Sequence, residues 1–120
     1  MNFTKFVPNI FYPDINTGLK TFIECLEFTM GHDGRDYHQP YCVVDKDGLS
    51  IMLTQNKEYA EQHSPEYRLV TNNIEEVYER VSSKYPELLH PNLNKVTLRP
   101  WGAKEFALLD GQIGVIIQQW

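Results

Sequence analysis

The feature that most constrains the fold is an apolar pattern that occurs twice, once in each half of the chain. It consists of Leu19, Phe22, Ile23 and Leu26 in the first half and of Ile74, Val77, Tyr78 and Val81 in the second. Each set has the spacing i, i+3, i+4, i+7, which places its side chains on one face of an α-helix. Each member of the second set follows its counterpart by 55 positions, as Ile74 follows Leu19. This repeat predicts two copies of one structural unit.

Strand-like segments surround each predicted helix and give both halves the same order of elements. The expected strands lie at residues 6–12, 29–31, 37–44 and 49–53 in the first half and at 66–71, 95–99, 104–109 and 113–119 in the second. Each half then has one strand before its helix and three after it, with turns at 32–36 and 45–48 in the first half. We therefore predict an α+β fold of two βαβββ modules, at about residues 5–55 and 65–119 of a single domain spanning 1–120.

Polar residues mark where the predicted helices begin. Asn16 and Thr17 are the expected N-caps of the first helix, and Asn73 with Glu76 has the pattern of a capping box for the second. The polar connector at 56–65 is expected to hold one helical turn at 57–61.

Composition and charge exclude several classes of protein. A chain of 120 residues with 42% hydrophobic residues is long enough for one buried core. Its net charge of -5, with scattered basic residues, argues against a nucleic-acid partner, because phosphate binding needs a basic face. No apolar run is long enough to span a membrane or to serve as a signal peptide. We expect a cytoplasmic protein without a membrane partner, in which Cys25 and Cys42 are free thiols.

The C-terminal part of the chain carries the clearest ligand-binding pattern. A Pro100-Trp101-Gly102 turn precedes two apolar runs that flank Asp110-Gly111-Gln112, which predicts a hairpin with a tryptophan at its entrance. A large aromatic residue beside glycine on a turn can offer a flat stacking surface to a small ligand. The alternative is that Trp101 only fills a core or a subunit interface, and residue type alone does not separate the two.

A family resemblance rests on this hairpin. The run Pro-Trp-Gly-x-Lys-Glu-Phe-x-x-x-Asp at 100–110, followed by an apolar strand, resembles the last hairpin of the glyoxalase/bleomycin-resistance/extradiol-dioxygenase proteins, the vicinal oxygen chelate superfamily. The nearest branch is that of the bleomycin-resistance proteins. Paired βαβββ modules build that fold, so the repeat extends the resemblance to about residues 5–119. It implies a curved eight-stranded sheet that encloses a cleft, with the helices outside.

The resemblance also implies an assembly and a ligand. Many members of the superfamily form homodimers, and in the resistance branch the ligand grooves lie at the dimer interface. We expect a homodimer, for which the aromatic residues Tyr37, Tyr41 and Trp120 are candidate contacts.

The same resemblance raises the question of a metal, because catalytic members hold a divalent ion with His, Gln or Glu on the first and last strands of each module. The corresponding positions lie near Val7, Ile51 or Met52, Glu66 or Tyr67, and Ile117. Among them only Glu66 can ligate, and Gln118 is a near miss. A single carboxylate cannot hold a catalytic ion against water. We therefore expect no metal and no other cofactor.

Two further pairs of residues are candidate sites. His38 and Cys42 are expected on one face of a strand, but four residues along a strand separate them by ~13 Å, too far for proton transfer. Arg68 is expected to face the cleft with Glu66, because side chains alternate along a strand. Arg68 could form a buried ion pair with Glu66 or anchor a ligand carboxylate, and the ion pair is the favoured interpretation.

These observations favour a metal-independent protein that binds and sequesters a small molecule, a drug or a metabolite, as the bleomycin-resistance branch does. The candidate ligand-binding residues are Trp101, Phe106, Phe11, Asn9, Arg68 and Glu66. The mildly acidic chain suits the cationic glycopeptide drugs of that branch, which would make it an antibiotic-resistance protein. One alternative is a metal-dependent glyoxalase-like lyase or dioxygenase, and another is a dimeric interaction module with a filled groove. No catalytic residue is predicted.

Overall fold

A computed structural model describes all 120 residues, and these form two compact units, Met1–His63 and Ser64–Trp120. The first unit, here called module one, contains β1 (Asn9–Tyr12), α1 (Ile15–Leu19), a π-helical continuation (Lys20–Cys25), β2 (Thr29–Gly34), β3 (Tyr41–Lys46), β4 (Leu49–Gln55) and α2 (Lys57–Gln62). The second, module two, contains β5 (Glu66–Val70), α3 (Ile74–Lys84), a 3-10 turn (Pro86–Leu88), β6 (Thr97–Leu98), β7 (Lys104–Leu109) and β8 (Gly114–Gln119).

Both modules have the same sheet topology. The strand order is β1-β4-β3-β2 in module one and β5-β8-β7-β6 in module two. In each sheet the first strand pairs in parallel with the last, and the remaining pairs are antiparallel. The predicted α+β fold of two βαβββ modules is therefore confirmed. No helix of the chain is both long enough and apolar enough to cross a bilayer.

The sheet of module one has one buried face and one partly exposed face. The buried face carries the side chains of Ile10, Tyr12, Cys42, Val44, Ile51 and Leu53. α1 packs on this face so closely that a Cβ added at Gly18 would lie 2.6 Å from the Tyr12 ring. Side chains alternate along each strand, so Asn9 and Phe11 lie on the opposite, partly exposed face.

The sheet of module two also packs its helix on one face. Phe106 is fully buried, and its ring meets Tyr78 of α3 edge-on with 5.1 Å between centroids. Ile117 is the cross-strand partner of Phe106 and is also buried. The neighbouring pair, Glu105 and Gln118, therefore points to the face away from α3.

The first predicted helix exists, but half of it is π-helical. The backbone N–H of Leu26 donates to the carbonyl of Thr21 at 3.1 Å, a bond that spans five residues. This wider turn brings Cys25 into the core with Phe22 and leaves Ile23 only half-buried. The predicted stripe is therefore correct for Leu19, Phe22 and Leu26, and Cys25 takes the place expected for Ile23.

The register of the repeat differs from the predicted offset of 55 residues. The first residue of α1 is Ile15 and the first of α3 is Ile74, so the helices are offset by 74 − 15 = 59 residues. The predicted alignment is wrong by four residues, close to one helical turn of about 3.6 residues. When a stripe spaced i, i+3, i+4, i+7 is shifted by four residues, several of its apolar positions again coincide. The apolar pattern alone therefore does not determine how the two helices align.

Helix capping also differs from the prediction. Asp14, rather than Asn16 or Thr17, caps α1, and its carboxylate accepts the Asn16 N–H at 2.9 Å. Asn73 precedes α3, but its side chain caps no backbone group and instead donates to the Glu76 carboxylate. The capping box is therefore wrong, although the position of the helix start is correct.

The two helix starts share a device that the sequence pattern did not reveal. The Gln55 side-chain oxygen, at the end of β4, accepts the N–H of Ile15 at 3.0 Å. The Gln119 oxygen, at the end of β8, accepts the N–H of Ile74 at 2.8 Å. In each module the last strand thus satisfies a free N–H at the start of the helix.

Some strand boundaries in module one differ from the predicted ones. β1 begins at Asn9 rather than at residue 6, and Phe3 and Phe6 before it are exposed. β2 runs to Gly34 and includes His32, which was expected in a turn. His38 lies in the loop before β3 and not on the strand with Cys42. The helical turn expected at 57–61 is present as α2.

Candidate functional site

The predicted hairpin of module two forms as β7 and β8, with Trp101 at its entrance. The Gly102 N–H donates to the Arg99 carbonyl at 2.9 Å, and the Arg99 N–H donates to the Ala103 carbonyl at 2.8 Å. Gly102 has a φ of 97°, a backbone conformation that side chains with a Cβ rarely adopt. This turn leaves Trp101 50% exposed.

A buried polar chain holds the tryptophan in place. Glu105 is 1% exposed, and its Oε2 accepts hydrogen bonds from Trp101 Nε1 at 3.1 Å and from Gln118 Nε2 at 2.7 Å. Gln118 in turn accepts a bond from Trp120 Nε1 at 3.2 Å through its Oε1. Both indoles are therefore tied to one cross-strand pair on the face away from α3. We call these four residues and Arg99 the Glu105 network.

Arg99 completes the Glu105 network. Its guanidinium carbon lies 4.8 Å from the centre of the Trp101 ring, a cation–π distance. Its Nε is 3.6 Å from Glu105 Oε1, close enough for an ion pair but too far for a good hydrogen bond. Arg99 Nε is buried and has no hydrogen-bond partner.

Sequence reasoning selected Trp101 but missed Glu105 and Arg99. Glu105 alternates with Ala107 along β7, so a carboxylate at this position had to point to one face of a mostly buried strand. Its partner Gln118 could be found only by knowing the register of β7 against β8. The available signal was a charged residue inside an apolar run four positions after the tryptophan.

Phe106 was predicted to line the ligand groove, but the structure places it elsewhere. It has no exposed surface, and it packs against Tyr78 on the helix side of the sheet. Trp101 contacts Glu105 on the other side. Because adjacent residues of a strand point to opposite faces, Phe106 is a core residue and not a neighbour of Trp101's ring.

Glu66 and Arg68 lie together on β5, on the same face as Glu105. Arg68 Nη1 donates to Glu66 Oε1 at 2.9 Å. Their side chains are 48% and 55% exposed, for Arg68 and Glu66 respectively, so the expected ion pair forms but is not buried. An exposed pair of this kind contributes only about 0–1 kcal/mol to stability.

Asn9 and Phe11 lie in module one, on the face of its sheet that is away from α1. Asn9 Oδ1 accepts a hydrogen bond from Thr54 Oγ1 at 2.7 Å. The Phe11 ring meets the ring of Tyr59 from α2 edge-on, with 5.1 Å between centroids. Both residues are therefore placed by neighbours within module one.

The same face of module one carries an aromatic cluster, defined here as His32, Tyr37 and Tyr41. The His32 ring stacks on Tyr41 with 5.2 Å between centroids, and Tyr37 lies 5.7 Å from His32 and 5.5 Å from Tyr41. The Tyr37 hydroxyl is 3.1 Å from His32 Nε2. Tyr37 is 48% exposed, so ring contacts and this one hydrogen bond hold a cluster that lies at the surface.

Two groups of module one, Asp33 in β2 and Cys42 in β3, have shifted pKa values. The side-chain hydrogen bonds from Arg35 lower the pKa of Asp33 to about 2. Burial raises the pKa of the Cys42 thiol, which keeps it protonated and unreactive at neutral pH. Neither cysteine forms a disulfide.

The donors at the positions implied for a metal do not fit a metal centre. Glu66 is paired with Arg68. Gln118, next to an implied ligand position, donates through its amide nitrogen to Glu105 and accepts through its amide oxygen from Trp120. Ile51 and Ile117 are buried apolar residues. No group of three or more His, Cys, Asp and Glu side chains is arranged to hold an ion.

Solved structures with the same fold include one named for the glyoxalase/bleomycin resistance protein/dioxygenase superfamily. A member of that superfamily from Sphaerobacter thermophilus DSM 20745 has a TM-score of 0.71 and 17% sequence identity, covering 99% of this chain and 98% of the other. Two individual proteins of similar shape bear the name of a drug. A bleomycin-binding protein, solved with bleomycin, has a TM-score of 0.72, 18% identity and coverage of 98% and 99%.

The second of these is the bleomycin resistance determinant encoded on the transposon Tn5. It has a TM-score of 0.71 and 18% identity, with 98% of each chain covered. No protein-family model and no curated protein sequence matches the chain. At these identities the likeness shows a shared fold, and the ligand is a separate question.

Proposed function

We propose that the protein binds and sequesters a small molecule, with Trp101 as the stacking surface. The observation that carries the proposal is a half-exposed indole whose N–H is anchored on a fully buried carboxylate, Glu105. Further support comes from the fold, which this chain shares with a bleomycin-binding protein and a bleomycin resistance determinant. Sequestration of a drug would confer resistance without any chemical step.

The Glu105 network gives this proposal a physical basis. A free tryptophan on a loop loses side-chain freedom when a ligand stacks on it, which weakens binding. The hydrogen bond to Glu105 and the contact with Arg99 remove that freedom before the ligand arrives. Aromatic stacking then contributes about 0.5–1.5 kcal/mol beyond the area it buries.

Four other residues stay predicted ligand contacts. Arg68 and Glu66 share the sheet face of the Glu105 network, and their half-exposed ion pair can open at little cost. Asn9 and Phe11 lie on the corresponding face of module one. Phe106 contributes packing alone.

Calorimetric titration with metal-free bleomycin tests the proposal. We expect Trp101→Ala to weaken binding at least about tenfold, since an interface tryptophan commonly accounts for 2 kcal/mol or more. The midpoint of thermal unfolding should change little, because half of Trp101 is exposed. Tyr85→Ala, an aromatic truncation in the same module, is the control and should leave binding unchanged. An equal loss of binding and stability in Trp101→Ala would make Trp101 a structural plug and refute the proposal.

The expected homodimer, the cytoplasmic location and the absence of nucleic-acid and membrane partners stay predictions. Exposed aromatic side chains support the homodimer, with Trp120 70% and Phe6 86% exposed. Light scattering after size exclusion should give twice the chain mass of 14.0 kDa. A monomer at tens of micromolar would contradict the dimer. We also propose that both modules act as a single domain, which predicts one cooperative unfolding transition.

A further inference from the structure

Arg99 has donor capacity that the protein does not use. Its contacts are the Glu105 carboxylate, 3.6 Å from Nε, and the face of the Trp101 ring. The Nε atom is buried without a hydrogen-bond partner, while the side chain as a whole is 34% exposed. A guanidinium has five N–H donors in a planar fork. The end of the fork is therefore left to a molecule from solution.

Two other arginines, Arg35 in the turn after β2 and Arg68 in β5, are engaged more fully. Arg35 makes two bonds to Asp33, at 2.9 Å and 2.6 Å. Arg68 donates to Glu66 at 2.9 Å. The carboxylate beside Arg99 is different, because Glu105 Oε2 already accepts bonds from Trp101 and Gln118. Glu105 thus fixes one side of the Arg99 guanidinium without occupying its donors.

We propose that Arg99 is an anion-binding residue beside Trp101 and that the site takes a planar aromatic ring carrying a carboxylate. The ring would contact the exposed part of Trp101, and the carboxylate would accept bonds from the terminal amino groups of Arg99. Guanidinium and carboxylate match in a two-bond geometry, which favours Arg over Lys at such a position. This inference rests on the proposed function, because the ring needs Trp101 as its stacking surface.

The charge beside Trp101 is opposite in sign to the net charge of the chain. A net charge of -5 suits a cationic ligand. The charge next to the exposed indole is nevertheless the positive one, since Glu105 is 1% exposed and Arg99 is not fully buried. A cationic group placed next to Arg99 would be repelled by its guanidinium, so a cationic drug can stack on Trp101 only with its charge directed away from Arg99.

Three ligands with the same ring test the inference by calorimetry: 2-naphthoate, 2-naphthamide and 2-naphthylmethylammonium. We expect naphthoate to bind at least about fivefold more tightly than the amide and the ammonium ligand to bind most weakly. Arg99→Met should remove the preference for naphthoate over the amide. Raising the salt concentration should weaken naphthoate binding selectively.

Two variants guard against indirect effects. Arg99→Lys keeps the positive charge beside Glu105 and should fold normally, yet it should lose most of the carboxylate preference because the fork is gone. Arg80→Met removes an arginine that lies over another aromatic ring, that of Tyr85 at 5.9 Å, and changes the net charge equally. It should retain the full preference.

The outcomes separate this inference from the proposed function. Equal affinities for the three ligands, all lost in Trp101→Ala, would overturn the anion site and leave the stacking site intact. Tightest binding of the ammonium ligand would also overturn it, in favour of a cationic ligand. Absence of binding by all three at millimolar concentration would overturn it as well, and the bleomycin titration would then decide on the proposed function alone.

Discussion

The two modules share one topology but hold their exposed aromatic residues in different ways. In module one the aromatic cluster is held by contact of its own rings and one Tyr37–His32 hydrogen bond. In module two, Trp101 and Trp120 are tied through their N–H groups to the buried pair Glu105–Gln118. A surface cluster of the first kind can adjust, whereas the second kind fixes the indoles. We therefore expect ligand recognition to be concentrated in module two.

The largest expected effect comes from removing the buried carboxylate. Glu105→Leu would leave Arg99 without its counter-charge and two N–H donors without an acceptor. We expect a loss of about 3 kcal/mol in the free energy of unfolding. The matched change in module one is Asp33→Leu, which breaks an exposed ion pair and should cost much less than Glu105→Leu. Urea denaturation of both variants would measure the difference, and equal losses would contradict the contrast between the modules.

Module one depends on close packing between its helix and its sheet. A Cβ at Gly18 would lie 2.6 Å from the Tyr12 ring, so Gly18→Ala should destabilise by about 1–3 kcal/mol. Gly114 of module two is the control, because a Cβ there would meet no atom closer than 3.9 Å. The midpoint of thermal unfolding should be lower in Gly18→Ala than in the unmodified protein and almost unchanged in Gly114→Ala. Comparable midpoints would mean that α1 can move away from the sheet without cost.

The shared glutamine device should have a smaller and unequal effect. Gln119→Ala removes the acceptor for the Ile74 N–H, and Asn73 offers no side-chain cap in its place. We expect a loss of about 1 kcal/mol. Gln55→Ala should cost less, because Asp14 still caps α1. Amide hydrogen exchange at the first turn of each helix measures this directly, and faster exchange in α1 than in α3 would contradict the ranking.

The smallest effect is a titration in module one. The pKa of Asp33 is lowered from 3.8 to about 2, mainly by hydrogen bonds from Arg35. A lowered folded-state pKa means that this pair stabilises the fold above pH 3.8 and that the stabilisation is lost as pH falls through about 2. Carbon-detected NMR of the Asp33 carboxyl should give that midpoint, and Arg35→Met should return it toward 3.8. An unchanged midpoint in Arg35→Met would show that another group lowers the pKa.

The sequence predicted the architecture because helical and strand periodicity are local properties. The stripe around Phe22 and the alternation in β4 each describe one element, and the two βαβββ modules follow from their order. The offset between the modules could not be read in the same way, because a helical stripe matches itself after about one turn. Likewise the π-helical turn after Leu19 depends on a hydrogen bond between residues five apart, which the spacing of apolar residues does not predict.

The sequence alone predicted the exposed residue of the candidate site, Trp101, but not the buried residues that hold it. Trp101 stands out because it is a large aromatic residue between Pro100 and Gly102. Glu105 and Gln118 acquire their role from cross-strand pairing, which depends on the register of two strands. The placement of Phe106 failed for the same kind of reason, since one residue along a strand changes the face.

One measurement tests the central claim, that the indole fixed by Glu105 is the ligand-binding surface. The chain has two tryptophans, and Trp120→Phe removes one of them. The tryptophan fluorescence of this variant therefore comes from Trp101 alone. Titration with metal-free bleomycin should give a saturable change in emission with the same midpoint as calorimetry. Binding seen by calorimetry without any change in Trp101 emission would place the ligand elsewhere and contradict the account.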